Sequence, residues 1–149
     1  MNKNKFLTSR SSGFSLIELL VVVAILGIIS SVGVVAYNGY VDSARQKTVE
    51  NLMQQISLAQ AEYKSDYDTY ITTSCPATAA TSLSIEKQLF NVPSSATERT
   101  IITDDIGYYL CTKDDSPYYE VQALERDDAT PCIITLNGQT LGISRNDQC

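Results

Sequence analysis

Glu18 lies inside the apolar run Phe14–Ala36 (FSLIELLVVVAILGIISSVGVVA), close to its start. As a helix, those 23 residues span about 35 Å, against a bilayer hydrocarbon core of about 30 Å. A carboxylate in such a segment costs roughly 2.5–3.5 kcal/mol on insertion scales, so it calls for a partner or a task. No Lys, Arg or His lies between Phe14 and Ala36. The chemistry open to Glu18 is therefore pairing with a group from elsewhere, either on another subunit or on a charge made after synthesis.

The preceding residues show how such a charge arises. Residues 1–13 (MNKNKFLTSRSSG) carry Lys3, Lys5 and Arg10 and no acid. This positive-inside signal keeps the N-terminus cytoplasmic and sends the rest across the membrane. An ordinary secretory leader is cut behind small residues after its apolar stretch. Here Gly13 comes before that stretch. Scission between Gly13 and Phe14 removes the basic leader, keeps the apolar helix, and creates an α-amine on Phe14 that is mostly protonated at neutral pH.

The run Gly13-Phe14-Ser15-Leu16-Ile17-Glu18-Leu19-Leu20-Val21-Val22-Val23-Ala24-Ile25-Leu26-Gly27-Ile28 resembles the N-terminal methylation motif of type IV pilins and type II secretion pseudopilins. The pattern is a glycine, an aromatic residue, three mostly apolar residues, a glutamate and an apolar helix. The resemblance is strong over roughly residues 10–70 and architectural beyond them. It implies cleavage after Gly13 by a membrane-embedded prepilin peptidase and N-methylation of Phe14. It also implies assembly into a helical filament with other pilin subunits, in which Glu18 pairs with the Phe14 amine of a neighbour. An inner-membrane platform and a cytoplasmic ATPase would drive that assembly. Two positions depart from the pattern. Ser12 stands where the family often has a basic residue, and Val35 where many members have a helix-kinking proline. Gly27, Gly33 and Gly39 each weaken the helix by about 1 kcal/mol relative to Ala, which returns some of that flexibility without a sharp kink.

The elements that must position these residues follow from length and pattern. The expected organisation is a cleaved leader (1–13), a membrane-spanning assembly helix (14–36) and an extracytoplasmic domain (37–149). The last includes an amphipathic helical half over 37–70. The 113 residues after the apolar run suffice for one modest core. From Tyr37 to about Tyr70 there is no proline, and Val49, Leu52, Ile56, Ala59, Tyr63, Tyr67 and Tyr70 recur at helical spacing. This predicts one stripe packed on a sheet; with nine tyrosines in the chain, an aromatic conduction path is the weaker alternative.

Residues 71–105 read as an irregular connection with a short helix over Ser84–Phe90, broken by Pro93-Ser94-Ser95. Strand patterns follow at Gly107–Thr112, Tyr118–Leu124, Cys132–Leu136 and Thr140–Ser144, with Asp114–Pro117, Asp127–Pro131 and the hairpin signal Asn137-Gly138 between them. The expected fold class is α+β: a long N-terminal helix packed on a roughly four-stranded antiparallel sheet. The same arrangement is what the pilin resemblance implies.

Cys75, Cys111, Cys132 and Cys149 all fall on the exported side. An even count there reads as two disulfides. Three pairings are open; Cys75–Cys111 with Cys132–Cys149 is favoured because each closes a local loop. The second bridge reads first as a staple worth roughly 3 kcal/mol. A sharper reading makes its loop a partner-facing surface, as in pilins. No CxxC appears, and the chain contains no histidine, P-loop, GxGxxG or GxSxG. No enzymatic activity, cofactor or metal is expected. The acidic pairs Asp104-Asp105, Asp114-Asp115 and Asp127-Asp128 read as solvated turns; if calcium bound, the latter two pairs would be the candidates.

The whole chain is −6, and without Lys3, Lys5 and Arg10 it has 8 basic against 17 acidic residues, or −9. Such a balance disfavours direct nucleic-acid binding. The reading is a filament subunit, inserted first in the inner membrane with its N-terminus cytoplasmic, then carried in an extracellular or periplasmic fibre. A type II secretion pseudopilin is the alternative. An ordinary secreted protein cut after Val34-Val35-Ala36, to begin at Tyr37, is the remote one.

Overall fold

The structure, a computed structural model, describes residues 13–126 and 129–149. In chain order it contains α1 (Leu16–Tyr67), α2 (Ala79–Leu89), a 3-10 turn (Asp104–Ile106), β1 (Tyr108–Asp115), β2 (Tyr118–Glu125), β3 (Ile133–Asn137) and β4 (Ile143–Arg145). The strands form one antiparallel sheet in the order β1-β2-β3-β4. The architecture is the α+β arrangement of a long N-terminal helix and a four-stranded sheet. The chain divides into two compact units, one ending at Val41 and the other running Asp42–Cys149.

In the first unit, α1 is long and apolar enough to cross a membrane. Its large side chains Leu16, Leu19, Val23, Leu26 and Ile29 are exposed in the single chain. A helix that is apolar on every side must be covered by lipid or by other helices.

In the second unit, Val49, Leu52, Met53 and Ile56 of α1 are buried in one cluster with Ile85 of α2, Ile102, and Leu110, Val121, Ile134 and Leu136 of the sheet. The inward residues of β2 and β3 alternate with half-buried ones, as a sheet with one covered face requires. The stripe departs from its predicted course beyond Ile56. Ala59 and Tyr63 are only half-buried, and Tyr67 is 65% exposed. The buried side passes instead through Ser57 and Gln60. The cause is two long-range polar contacts. Ser57 Oγ and Tyr119 Oη lie 2.7 Å apart. The Gln60 amide accepts from the Ile71 N–H at 2.9 Å and donates to its carbonyl at 2.7 Å, fastening the returning chain to the helix. The helix ends at Tyr67, before the predicted Tyr70, because Asp68 takes a left-handed conformation (φ 57°). Tyr70 still packs against the core, with its ring centroid 4.8 Å from that of Tyr119.

Helix α2 begins at Ala79, five residues before the predicted Ser84. Thr78 and Thr81 cap it reciprocally: Thr78 Oγ1 accepts from the Thr81 N–H at 3.2 Å, and Thr81 Oγ1 from the Thr78 N–H at 2.8 Å. The hydroxyl residues that made this stretch look irregular also close the outer edge of β1. Ser82 Oγ accepts from the Leu110 N–H (2.9 Å), Thr81 Oγ1 donates to the Leu110 carbonyl (2.8 Å), and Thr73 Oγ1 accepts from the Thr112 N–H (2.9 Å). An edge so paired does not recruit foreign strands.

The turns differ from their sequence readings too. Asp114 and Asp115 are the last residues of β1, and Asp115 faces Tyr118 directly, so only Ser116 and Pro117 form the loop. The β3–β4 connection is not a tight Asn137-Gly138 turn but a wider loop, and β4 is shorter than expected. Asn137 Oδ1 accepts from the N–H groups of Gln139 and Thr140, which opens the loop to Gly142.

Candidate functional site

The residues singled out by their chemistry lie at and just before the first turn of α1. Gly13 and Phe14 precede the helix, and Phe14 is exposed. Glu18 is the acid of the first turn, where backbone N–H groups still lack helical acceptors and the helix dipole favours negative charge. It already has a partner within the chain. Ser15 Oγ accepts from the Glu18 N–H at 3.2 Å. Glu18 Oε2 in turn accepts from the Ser15 N–H at 3.5 Å and from the Ser15 hydroxyl at 3.4 Å. The pattern is a capping box. Its sequence signal is Ser-x-x-Glu ahead of an apolar run, at Ser15–Glu18. Lys3, Lys5, Arg10 and Ser12 lie outside the described residues.

The four cysteines form two bridges in the second unit. Cys75–Cys111 ties the segment after α1 to β1, with Cα atoms 5.7 Å apart. Cys132–Cys149 closes a loop of sequence separation 17, with Cα atoms 4.7 Å apart, around β3 and β4. Further polar contacts hold this loop down. Asn146 Oδ1 accepts from the Ile133 N–H at 2.9 Å. Arg145 pairs with Glu50 of α1, which also receives Lys47 Nζ at 2.9 Å. Burial opposes ionisation of Glu50, but the hydrogen bonds and charges of Lys47 and Arg145 outweigh it and hold the carboxyl below its ordinary range.

The acidic pairs do not converge. Asp104 pairs with Arg99 and, at 2.8 Å, with Arg126. The Arg99 hydrogen bond is the main reason that its carboxyl sits below the usual value. Arg99 and Arg126 also approach the Tyr109 ring, at 5.0 and 6.0 Å from its centroid. Asp114 and Asp115 belong to the end of β1, and Asp127-Asp128 lies outside the described residues. Among the described residues, no three acidic or cysteine side chains gather as a metal site would need.

One residue that sequence reading passed over is a fully buried carboxylate. Glu86 of α2 accepts from the backbone N–H groups of Thr100 (2.8 Å), Ile101 (3.0 Å) and Ile102 (2.6 Å), and from the Thr100 hydroxyl (3.2 Å). It anchors the loop that leads into β1. Its donors lie 14–16 residues away, and no local pattern announces them. Tyr108, also buried, has its phenol pushed up to about 12, mainly by desolvation and then by Glu125. These groups serve the fold; none of them is set beside a nucleophile or a proton-relay partner in the contacts described.

Residues 8–34 match the family described as the prokaryotic N-terminal methylation motif, the signature of type IV pilin and pseudopilin precursors. Members bearing that motif are structural subunits. No curated protein and no solved structure matches the chain significantly.

Proposed function

We propose that this chain is a structural subunit of a type IV pilus-like filament. The observation that carries the reading is a methylation motif seated on the first turn of a membrane-length helix that is apolar on every side. In this reading, residues 1–13 are a leader removed after Gly13, and Phe14 becomes the N-methylated mature N-terminus. The helix over 14–36 is stored in the inner membrane, and 37–149 faces the far side. Glu18 then meets the cationic N-terminus of a neighbouring subunit.

The physical division of labour follows from general energetics. In low dielectric the ammonium–carboxylate attraction is strong, but desolvation offsets much of it. The pair therefore sets register, that is, how far each subunit rises along its neighbour. Cohesion comes from side chains such as Leu16, Leu19, Val23 and Leu26 packing among other helices, at about 1.5–3 kcal/mol for each one withdrawn from water. Partners in this reading are other pilin subunits, the prepilin peptidase, the inner-membrane platform and its ATPase.

Mass spectrometry of sheared surface fibres tests the proposal. It should find this chain beginning at methylated Phe14, with both disulfides closed. A mature start at Tyr37, or a soluble monomer lacking the apolar helix, would refute it. Recovery only from a short periplasmic fibre would assign the chain to a type II secretion pseudopilus instead.

A further inference from the structure

Ser15 and Glu18 are the only polar side chains from Phe14 to Ile29, and they touch each other. In a segment made for lipid, a polar group without a partner is costly, and two that satisfy one another reduce that cost. Both bonds that Ser15 gives to the carboxylate end on Oε2. Oε1 takes neither.

We infer that Ser15 is the positioning residue for Glu18: it holds one carboxylate oxygen within the stored subunit and leaves the other for a donor on the incoming neighbour. This deepens the reading of Glu18 as an assembly residue and rests on it. The bonds to Oε2, at 3.4 and 3.5 Å, are long. An ammonium–carboxylate bond settles at about 2.7–2.9 Å and is roughly twice as strong as a neutral one. Ser15 therefore orients the carboxylate without competing for it. The Glu18 rotamer is chosen before the neighbour arrives, so less side-chain freedom is lost on docking. Ser15 follows Phe14, so the capping box survives scission after Gly13 and is present in precursor and mature subunit alike.

The test uses the full-length precursor, expressed with its assembly machinery, as Ser15→Ala, Ser15→Thr and Glu18→Ala variants. For each, the membrane-inserted amount, the mature N-terminus by mass spectrometry and the share of subunit in sheared fibres are measured. Ser15→Ala should insert and begin at Phe14 as wild type does, while its fibre-borne share falls about threefold or more, the scale controlled by one net hydrogen bond. Ser15→Thr, which keeps the hydroxyl, should restore it. A wild-type fibre share for Ser15→Ala, a failure of Ser15→Thr to restore it, or an uncleaved leader in Ser15→Ala would each overturn the inference. The underlying reading fails separately: if Glu18→Ala enters fibres at the wild-type level, pairing through Glu18 is wrong whatever Ser15 does.

Discussion

Replacing Glu86 should loosen the Asp42–Cys149 unit more than replacing any surface acid. The carboxylate is fully buried and accepts three backbone N–H groups and one hydroxyl. Glu86→Ala orphans all four donors. Thr100 lies at the surface, so water takes over its two groups, whereas Ile102 is fully buried and Ile101 half-buried. Each buried donor left without an acceptor costs about 1–3 kcal/mol, and bonds to a charged acceptor are worth about 1.5–3 kcal/mol each. A total near 4 kcal/mol follows, most of it from the Ile101 and Ile102 amides. For a domain of this size, that lowers the melting temperature by about 15–25 °C. Glu86→Gln keeps one acceptor oxygen but turns an NH2 toward the other donors, and should cost about half as much. The assay is thermal unfolding of the full chain in detergent, with disulfides intact, followed by near-UV circular dichroism. Glu98→Ala, at an exposed acid in the same loop, is the control. A shift below about 4 °C for Glu86→Ala would show that the loop amides find other acceptors and that the carboxylate is not their anchor.

Three further outcomes are expected. Glu18→Ala should leave membrane insertion intact and abolish or strongly lower incorporation into fibres, read as the fibre-to-membrane ratio of the subunit; equal ratios would contradict the pairing. Glu50 has its folded-state pKa depressed below the ordinary 4.5, despite opposing burial, by Lys47 and Arg145. Its contribution to stability is thus present above the unfolded value and lost as pH falls through the folded one. Glu50→Gln should therefore flatten the decline in melting temperature on acidification below about pH 4.5, and an unchanged acid limb would count against the ion pair. Gly138→Ala should cost about 1–3 kcal/mol in denaturant unfolding, because its methyl would fall 2.5 Å from the Tyr119 carbonyl oxygen; a neutral effect would mean that the β3–β4 loop yields easily.

Local signals were legible in proportion to how local their physics is. The methylation motif is a run of adjacent residues, and the membrane-length helix is a matter of composition over one turn after another. The four strands were readable because β-branched and aromatic residues alternate between turn residues. Errors appeared where a side chain's partner lies far along the chain. Spacing puts Tyr67 on the buried stripe, yet the buried side turns toward Ser57 and Gln60, whose partners Tyr119 and Ile71 come from other elements. The start of α2 was hidden because Thr and Ser suit loops as readily as caps. At Asn137 a single side-chain oxygen, accepting two N–H groups, overrides the turn preference of its neighbour Gly138.

Charge, periodicity and the Gly13–Glu18 motif are properties of consecutive residues, so the chain's own order determined the long helix, the α+β class and the prepilin signature. Which cysteine meets which was one choice among three until folding brought Cys132 beside Cys149 and Cys75 beside Cys111. The role of Glu86 was likewise decided in three dimensions. A carboxylate states only that it will accept hydrogen bonds; the packing of α2 against the loop before β1 decides which amides stand close enough to give them.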